Sequence, residues 1–546
     1  MSGVRFDTIH DALLARGFAQ LQSIRPISYK GTLNVSEEPV QVLLEFSDLE
    51  LQRLPIIRLT DRPAWIPATC HHVDNRNIVC YASTRLAFID RYHADAQVMY
   101  CLDRATYVLR DIRRGNVMGD VDQEFTYYWN GRPILVDAEP QTTAQRFNVL
   151  TVALADGNVP IIIDSNQDGK KKYSSFSPVE RALDSALLLP GNGTPPVSTD
   201  QWPPKTLQDI ITWLSSCAPE LLKPFRRSLG SLNGMRVQRA LFIFQTQPSW
   251  FGIEFALPVL TRVKFRHPKE FANVIERQSA QIPIHRLTPV RVDCEYLVER
   301  NLRAGDQALL GKRVLLAGCG AIGGYLAHAL ARAGTGFGRG TLLLTDPEIF
   351  TGGNVGRHRL GIDSLLLPKA EALRRDLQRT LPGINACALE TSVLDLPLKD
   401  VDLIVDATGE EQLSEALNAR FLSGKSPPIV FVWVVGNGLA VQSFTLASPE
   451  QGCLHCWKSH GDLSAFTPAD QSNLETRVGR GCDDPYVPFS GAAPLAASSL
   501  ALQAILDWSS GRPNPTLRTI ELDYRTTHHI KPKTPARAAT CRACGQ

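Results

Sequence analysis

The sequence carries little net charge and no long apolar run, and each absence excludes a class of function. Its 58 lysines and arginines against 55 aspartates and glutamates leave a formal charge of +3, which gives no indication of binding to nucleic acid or to a membrane surface. No run of about 18 apolar residues is present, as a transmembrane helix would require. The first residues, MSGVRFDTIHDALLARG, lack the apolar core of a signal peptide, so we expect a cytoplasmic protein.

Internal repeats and long low-complexity tracts are also lacking, and the remaining composition is that of an ordinary globular protein. Hydrophobic residues make up 44% and charged residues 21% of the 546 positions. At roughly 150 residues per domain, this length predicts about three domains. We expect the 12 cysteines to be reduced in the cytoplasm, so metal binding or catalysis explains them better than disulfides.

A strand, a glycine-rich turn and a helix are predicted in succession. The apolar run 314–316 suits a buried parallel strand, and the alanine-rich run 325–333 favours a helix. Between them, Gly318, Gly320 and Gly323 form the pattern GxGxxG. Such glycines permit a tight turn and let backbone N–H groups approach a phosphate, and the helix N-terminus adds partial positive charge. The order strand, glycines, helix therefore predicts a nucleotide-binding turn.

The charged residues that follow the next apolar run indicate which kind of nucleotide the turn binds. That run ends at Asp346, whose carboxylate can accept hydrogen bonds from a ribose. The polar residues that follow it closely are Asn354, Arg357, Arg359 and Lys369. Several cations beside a phosphate loop suit a triphosphate under attack, because charge then develops on the phosphorus oxygens. An NAD-dependent oxidoreductase needs little charge there, and an ordinary basic surface loop is the structural alternative.

These residues resemble the ThiF/MoeB/ubiquitin-activating superfamily of adenylating enzymes, and the resemblance covers residues 295–546. It implies a Rossmann-like α/β adenylation domain that binds ATP and adenylates the C-terminal carboxylate of a ubiquitin-like protein. By the same resemblance, Asp346 holds the ribose, and Asn354 contacts the phosphates. Arg357 and Lys369 are expected to contact the phosphates as well, with Arg357 counted as catalytic.

The next predicted strand ends at Asp406, within DVDLIVDATGEE. In the superfamily a D-x-x-D pattern supplies a carboxylate that faces Mg²⁺. Asp406 matches the first acid, whereas Gly409 stands at the position of the second. We therefore expect Asp406 or Glu410 to serve Mg²⁺, and a hydrogen-bonded, structural Asp406 is the alternative.

Two CxxC pairs near the C-terminus predict a zinc site. They are Cys453 with Cys456 and Cys541 with Cys544. Two thiolates at this spacing can bind one ion, and four complete a closed tetrahedral Zn²⁺ site with no open position for water. Such a site is structural and would fasten the C-terminal tail to the core.

A further cysteine, Cys482, lies between these pairs in the glycine- and proline-containing stretch RVGRGCDDPYVPFSG. Its neighbours Arg477 and Arg480 would favour a thiolate. In activating enzymes of the superfamily a crossover loop in this region carries the thioester cysteine, so the resemblance implies this role for Cys482. An incidental loop cysteine is the alternative.

The first 150 residues are predicted to contain a helix over residues 6–20, three strand-like segments, a loop with Cys80, and further helices. This layout resembles the ubiquitin-conjugating-enzyme fold, whose catalytic cysteine lies in a long loop after the sheet. The resemblance implies that Cys80 is catalytic, although a single cysteine is often only a small buried residue.

The His-Pro-Asn element of conjugating enzymes has no counterpart before Cys80. The candidates to replace it are His71, His72, Asn75 and Asn77. Cys70 and Cys101 are interpreted as structural, and a metal site made by Cys70 with His71 and His72 is the alternative. Residues 151–294 mix strand-like runs with one helical run over residues 206–229, which predicts an α+β connecting domain.

The three regions, 1–150, 151–294 and 295–546, predict a fused activating and conjugating enzyme. In it Cys482 takes the acyl group, Cys80 receives it, and an acceptor protein lysine is modified. Such fusions resemble those of bacterial CBASS anti-phage operons, which implies that the conjugated protein is ubiquitin-like or a cGAS-like nucleotidyltransferase. We expect a homodimer, with Arg300 or Arg303 reaching the partner's ATP site.

Three other functions compete with this hypothesis. A sulfur-carrier-activating adenylyltransferase leaves roughly the first half of the chain unexplained. An NAD-dependent oxidoreductase leaves Arg357, Lys369 and the CxxC pairs without a role. A non-catalytic nucleotide-binding scaffold does not require both loop cysteines.

Overall fold

A computed structural model describes residues 6–22, 27–48, 51–66, 70, 72–74, 76–82, 90, 92–115, 125–126, 128–154, 157–163, 172–173, 178–179, 184–195, 202–234, 239–258, 265–458, 466–469, 474–478 and 485–545. The chain forms two compact units, Met1–Ser165 with Ser177–Val290, and Asn166–Phe176 with Arg291–Gln546. In the described part of the chain, no helix has both the length and the apolar character needed to cross a membrane.

As far as its residues are described, the N-terminal part of the first unit is an antiparallel four-stranded sheet with two helices. Its elements are α1 (Phe6–Ala15), β1 (Ala19–Gln20), β2 (Ile27–Val35), β3 (Glu38–Phe46), β4 (Ile56–Leu59) and α2 (Ala94–Arg113), and the strand order is β1-β2-β3-β4. Alternate residues of β3 are buried, so one face of the sheet forms a core with the helices. The first helix, predicted to reach residue 20, ends at Ala15 because Gly17 has a φ of +84°.

The rest of the first unit is an eight-stranded mixed sheet covered by helices. Its strands are β5 (Arg132–Asp137), β6 (Gln145–Leu154), β7 (Gly157–Ile163), β8 (Pro178–Val179), β9 (Asp184–Pro190), β10 (Arg239–Gln245), β11 (Phe251–Ala256) and β12 (His285–Arg291). Their order is β7-β5-β12-β11-β10-β9-β6-β8. Residue 150, the predicted end of the first domain, lies inside β6. Because β5 pairs with the later strands β7 and β12, the sheet already begins at Arg132.

Among the described residues, the helices that accompany this sheet include α3 (Leu207–Cys217), α4 (Pro219–Gly230) and α5 (Pro268–Arg277). The sequence predicts α3 and α4 as one helix. They are separate because Pro219 has no N–H to donate and restricts the backbone of Ala218, whose ψ of 59° is not helical.

The second unit is built on a seven-stranded sheet with helices on both faces. Its strands are β13 (Arg313–Ala317), β14 (Thr341–Thr345), β15 (Ala386–Leu389), β16 (Leu403–Asp406), β17 (Ile429–Val435), β18 (Ala440–Leu446) and β21 (Leu517–Glu521), and a separate hairpin pairs β19 (Arg477–Val478) with β20 (Pro485–Tyr486). The helices are α6 (Cys294–Glu299), α7 (Ala321–Arg332), α8 (Lys369–Thr380), α9 (Glu411–Leu422), α10 (Leu454–Lys458) and α11 (Ala492–Ser509).

The sheet order is β15-β14-β13-β16-β17-β18-β21, parallel from β15 to β17 and antiparallel at β18 and β21. Val314 and Leu316 pack on the side of α7, α8 and α11, whereas Leu315 and Ala317 pack on the side of α9 and the cysteine pairs. Burial on both faces explains why the strands are continuous apolar runs. A mostly parallel sheet with helices on both faces is the predicted Rossmann-like arrangement.

Candidate active site and zinc centre

The turn between β13 and α7 is shaped by its glycines. Gly318 has a φ of +87°, a conformation that glycine adopts without strain. A β-carbon at Gly318 would lie 2.8 Å from the backbone N of Thr408, and one at Gly323 would lie 1.9 Å from the carbonyl O of Gly318. By contrast, the space within 4 Å of a β-carbon placed on Gly320 is open. Since Gly320 is the N-cap of α7, this open side gives a phosphate access to the N-terminus of the helix.

Asp346 ties the end of β14 to this turn. Its Oδ2 accepts a hydrogen bond from the N–H of Cys319 at 2.7 Å, and its Oδ1 accepts one from the N–H of Glu348 at 2.8 Å. Burial raises the pKa of the Asp346 carboxyl, and both backbone donors oppose that shift. A carboxylate has about four acceptor positions, so the two hydrogen bonds leave capacity for the hydroxyl groups of a ribose.

Asn354 closes its own turn. Its Oδ1 accepts hydrogen bonds from the N–H of Thr351 at 2.8 Å and from the hydroxyl of Thr351 at 3.1 Å. The side-chain amide N–H groups are the donors with which a phosphate contact, as predicted for this residue, would be made.

Arg357 lies against the segment that follows β20. Its guanidinium carbon is 4.5 Å from the centroid of the Phe489 ring, and its Nη1 donates to the carbonyl O of Val487 at 3.4 Å. The ring supports the planar guanidinium through a cation–π contact. The predicted phosphate-binding arginine thus contacts the C-terminal part of the stretch that contains Cys482.

Lys369 begins α8 and is buried, and its ammonium group forms an ion pair with Glu348. The N–H of Lys369 also donates to the carbonyl O of Glu348 at 2.9 Å. The Glu348 side chain is 67% exposed, against 8% for that of Lys369. A phosphate oxygen would therefore compete with a solvated carboxylate for a buried ammonium group.

His358, which the sequence analysis did not single out, joins the Arg357 segment to the glycine turn. The N–H of Leu360 donates to its Nδ1 at 2.9 Å, so the proton of the neutral ring is on Nε2, which donates to the carbonyl O of Cys319 at 2.8 Å. Burial lowers the pKa of His358, which favours this neutral form. A β-carbon at Gly324 would lie 2.8 Å from Cε1 of the ring, so glycine is needed there for the imidazole to pack on α7.

Arg359, grouped by sequence with the phosphate-binding cations, instead faces α8. Its Nε lies 3.3 Å from Oδ2 of Asp376, and the same oxygen is 2.8 Å from Nε2 of His328. Burial and the nearby Arg359 charge lower the pKa of His328 to about 4. Arg359 therefore links its loop to α8 through the partly buried carboxylate of Asp376.

Asp406 is buried at the end of β16 and already holds three hydrogen bonds. Its Oδ1 accepts from the N–H and hydroxyl of Thr408 at 3.1 and 2.7 Å, and its Oδ2 accepts from the hydroxyl of Ser414 at 2.5 Å. Burial raises the pKa of this carboxyl. Gly409 has a φ of +73°, at which an aspartate would be strained, whereas Glu410 is exposed. These three hydrogen bonds leave about one of the four acceptor positions of the carboxylate for a metal ion.

The two CxxC pairs come together as predicted. The Sγ atoms of Cys453, Cys456, Cys541 and Cys544 all lie within 4.8 Å of one another, and all four residues are buried. Cys453 Sγ is 3.8 Å from both Cys456 Sγ and Cys541 Sγ. Ligands at about 2.3 Å from a tetrahedral zinc ion are separated by about 3.8 Å, so the set fits a closed zinc site. The N–H of Ala538 approaches Cys456 Sγ at 3.5 Å, a contact that stabilises a thiolate.

Cys80 is exposed on a loop fixed to the edge of the four-stranded sheet. The N–H of Val79 donates to the carbonyl O of Ile57 in β4 at 2.8 Å, and the N–H of Cys80 donates to the carbonyl O of His72 at 2.7 Å. On the other side, the buried Tyr81 hydroxyl donates at 2.6 Å to the carbonyl just before β4. Main-chain hydrogen bonds on one side and the Tyr81 hydroxyl on the other thus hold the thiol-bearing residue at the surface.

The residues predicted to assist Cys80 are only partly described. His72 and Asn77 both have left-handed backbone conformations, with φ of 61° and 62°. The Oδ1 of Asn77 accepts from Nη1 of Arg62 at 3.2 Å, which fixes the side chain of this asparagine. His71 and Asn75 lie outside the described residues.

Cys482 also lies outside the described residues, between β19 and β20. In the flanking hairpin Arg477 pairs with Tyr486 in the strand register, and its guanidinium lies 2.9 Å from the carboxylate of Glu475. One of the two arginines predicted to favour a Cys482 thiolate thus has a carboxylate partner.

Comparison with known families identifies both the region of the glycine turn and the region of Cys80. The profile of the ThiF family matches residues 296–543, and that of prokaryotic E2 family B matches residues 3–133. The chain is 30% identical over 502 residues to the ATP-dependent ubiquitin transferase-like protein Cap2 of Pseudomonas aeruginosa, covering 90% of this chain and 89% of that relative. Proteins with the same name from Escherichia coli and Vibrio cholerae are 26% and 24% identical, over 80% and 83% of this chain and 79% and 81% of theirs.

These matches confirm the predicted fusion of an adenylation domain with a ubiquitin-conjugating-like domain, and the α/β fold class with it. They also confirm an ATP-dependent transferase of the activating and conjugating kind, which acts in ubiquitin-like conjugation. The oxidoreductase and scaffold alternatives find no support, and a sulfur-carrier adenylyltransferase would leave the E2-type domain without a role. The chain belongs to the family of ATP-dependent ubiquitin transferase-like proteins.

Proposed function

We propose that the chain uses ATP to activate the C-terminal carboxylate of a protein and passes the acyl group through Cys482 and then Cys80 to an amine. The observation that carries this proposal is the combination of two features in one chain. Asp346, Arg357 and Lys369 lie on segments joined to a glycine turn of nucleotide-binding type. Cys80 is exposed on a loop held by main-chain hydrogen bonds.

Adenylation begins when a carboxylate oxygen of the protein substrate attacks the α-phosphorus of ATP and pyrophosphate leaves. Negative charge grows on the phosphorus oxygens, and fixed cations stabilise it. We assign this role to Lys369, which would exchange Glu348 for a phosphate oxygen, and to Arg357. Asp346 holds the ribose, and Asn354 donates to the phosphates.

Transfer then proceeds through two thiolates. The Cys482 thiolate attacks the acyl carbon of the adenylate, and AMP leaves with the electron pair of the C–O bond. The Cys80 thiolate attacks the resulting thioester, and the Cys482 thiolate is released at nearly constant free energy. Finally a lysine amine attacks the Cys80 thioester, loses a proton and forms an amide as the thiolate leaves. His72 and Asn77 are the described residues nearest in sequence that could assist this step.

The protein substrate is proposed from the resemblance to the activating and conjugating fusions of anti-phage operons. It would be a cGAS-like nucleotidyltransferase or a ubiquitin-like protein, and the reaction would take place in the cytoplasm as part of antiviral defence. We further propose a homodimer. Of the two arginines considered for a partner's site, Arg303 lies 2.9 Å from Asp306 and remains 71% exposed.

Two metals belong to this proposal. Mg²⁺ would enter with ATP, because phosphate oxygens supply many of its ligands in nucleotide sites. Asp406 would use the acceptor position that Ser414 and Thr408 leave open, and the exposed Glu410 is the other carboxylate available. Zn²⁺ would be held by Cys453, Cys456, Cys541 and Cys544, where it links chain segments and leaves no open position for catalysis.

The test is ATP–pyrophosphate exchange by the full-length protein, with a cGAS-like nucleotidyltransferase as the carboxyl donor. Asp346→Ala and Arg357→Ala should each slow the exchange by about a hundredfold, since each removes a charged group from the reacting nucleotide. Arg375→Ala is the matched control, because Arg375 is an exposed arginine on α8 paired with Glu371. Exchange at the normal rate in both site variants, or tight NAD binding without exchange, would contradict the proposal.

A further inference from the structure

A tyrosine beside the eight-stranded sheet of the first unit reaches the loop that carries Cys80. Tyr128 lies just before β5, and its hydroxyl donates to the carbonyl O of Cys70. Cys70 precedes Cys80 on the same loop, between β4 and α2. No step of the proposed adenylation and transfer uses Tyr128, although its hydrogen bond ends close to the catalytic cysteine in the chain.

Buried tryptophans fix the backbone on which Tyr128 stands. The adjacent Trp129 is 1% exposed, and its ring stacks on that of Trp213 with the centroids 5.7 Å apart. The Nε1 of Trp129 donates to the carbonyl O of Leu287 in β12 at 2.9 Å, and that of Trp202 donates to the carbonyl O of Tyr128 at 3.1 Å. A buried indole N–H is costly to leave without a partner, so these contacts resist displacement. The Tyr128 hydroxyl is therefore presented to the loop from a rigid base.

The carbonyl of Cys70 belongs to a turn that supplies the main-chain partner of Cys80. The N–H of Val73 approaches this carbonyl O at 3.5 Å, the outer limit of a hydrogen bond, so the Tyr128 hydroxyl is the stronger of the two donors. Within the turn His72 has a φ of 61°, which a non-glycine residue keeps only where its surroundings hold it. The carbonyl O of His72 accepts the N–H of Cys80 at 2.7 Å. The Tyr128 hydroxyl thus supports the backbone of Cys80 through this turn.

We propose that Tyr128 is a positioning residue for the conjugation step, whose hydroxyl holds the turn at Cys70 and so orients the thioester on Cys80 toward the attacking amine. This inference rests on the proposed function of Cys80 as the thiol that carries the acyl group. An amine attacks an acyl carbon productively only from a restricted direction, so a small displacement of the carrier slows the reaction. The eight-stranded sheet thereby takes part in conjugation without touching the reacting atoms.

The first measurement needs no substrate. Tyr128→Phe removes one hydroxyl and keeps the ring, and hydrogen–deuterium exchange of the full-length protein reports on the N–H of Cys80. Exchange at Cys80 should become about tenfold faster, because the turn that carries its acceptor loses a hydrogen bond. Tyr100→Phe is the matched control: Tyr100 lies on α2 of the same unit and is 58% exposed, so loss of its hydroxyl should leave the exchange at Cys80 unchanged.

The second measurement separates positioning from loss of stability. The protein is loaded with a cGAS-like nucleotidyltransferase as the carboxyl donor, ATP is removed, and discharge of the Cys80 thioester to free lysine is followed. Tyr128→Phe should discharge about tenfold more slowly than the wild-type protein and Tyr100→Phe. ATP–pyrophosphate exchange and loading of Cys482 should be normal, since the residues assigned to adenylation lie in the other unit. A purely structural hydroxyl would lower the unfolding temperature and leave the discharge rate of the folded, loaded protein unchanged.

Circular dichroism confirms that each variant is folded before these rates are compared. Exchange at Cys80 that is unchanged in Tyr128→Phe would overturn the proposal, and so would discharge at the wild-type rate. Wild-type protein that never loads Cys80 would contradict the proposed function instead, and the exchange measurement then decides by itself whether Tyr128 holds the loop.

Discussion

The His358 ring connects the segment that contains Arg357 to the glycine turn. Its Nε2 donates to the carbonyl O of Cys319, and its Nδ1 accepts from the N–H of Leu360. In His358→Ala the carbonyl O of Cys319 and the N–H of Leu360 would both lose their side-chain partner in a buried place. We expect the KM for ATP in pyrophosphate exchange to rise by about tenfold, because the turn and the Arg357 segment lose their link. His358→Gln keeps an N–H donor and a carbonyl acceptor and should recover part of the affinity.

The KM and kcat of the two variants separate positioning from simple loss of stability. A positioning role predicts an increased KM that glutamine partly restores, with the folded fraction unchanged in circular dichroism. Equal KM values in His358→Ala and the wild-type protein would show that the ring does not orient the nucleotide site.

Residues that belong to a local sequence motif could be predicted from the sequence. Residues whose role depends on contacts with distant parts of the chain could not. The glycines and Asp346 stand at fixed positions around a strand and a helix, so their places follow from the order of elements. Phe489 and Glu348 carry no motif, and their relation to Arg357 and Lys369 exists only in the folded chain. His358 immediately follows Arg357, and this adjacency was the one signal that could have drawn attention to it.

The same distinction holds for whole elements. The start of α3 was predictable, because Thr206 and Asp209 form a capping box in which each side chain accepts from the other residue's N–H, at 3.2 and 2.9 Å. The place of β5 was not, since its partners β7 and β12 come later in the chain and strand pairing at such separations leaves no local trace. For this reason the end of the predicted first domain fell inside a strand.

The C-terminal tail gives a prediction at the scale of the element. Beyond β21 the chain returns to the sheet through a bridge between Leu517 and Lys533 and ends at the paired thiols of Cys541 and Cys544. A zinc ion bound to these thiols would hold the tail against the rest of the unit. Cys541→Ser should therefore lower the zinc content below one ion per chain and expose the tail to protease. Elemental analysis and limited proteolysis measure the two effects.

Cys387→Ser is the control for this experiment. Cys387 is an exposed cysteine in β15 of the same unit, and its replacement should leave both the zinc content and the protease pattern unchanged. Wild-type protein purified without chelator and found free of zinc would refute the assignment of the four thiols.

At the scale of the whole molecule, the proposed adenylation and conjugation steps belong to different units, and the proposed function implies an order of events. The residues assigned to adenylation all lie in the second unit, and Cys80 lies in the first. Adenylation needs no thiol, so Cys80→Ala and Cys482→Ala should both exchange pyrophosphate as the wild-type protein does. Cys482→Ala should form no thioester at either cysteine, and Cys80→Ala should load Cys482 and stop without an amide product.

Cys80→Lys provides the most direct test of this order. An amine in place of the thiol should attack the thioester on Cys482 and form an amide, from which nothing can leave, so the carried protein becomes permanently attached to the enzyme. Gels run with and without reductant after ATP addition distinguish the species, because reductant cleaves a thioester and leaves an amide intact. The exposed Cys387, changed to Lys, is the control and should trap nothing. Conjugation of targets at the normal rate by Cys80→Ala would remove Cys80 from the pathway, whereas loading of Cys80 in Cys482→Ala would mean that the acyl group passes directly from the adenylate to Cys80.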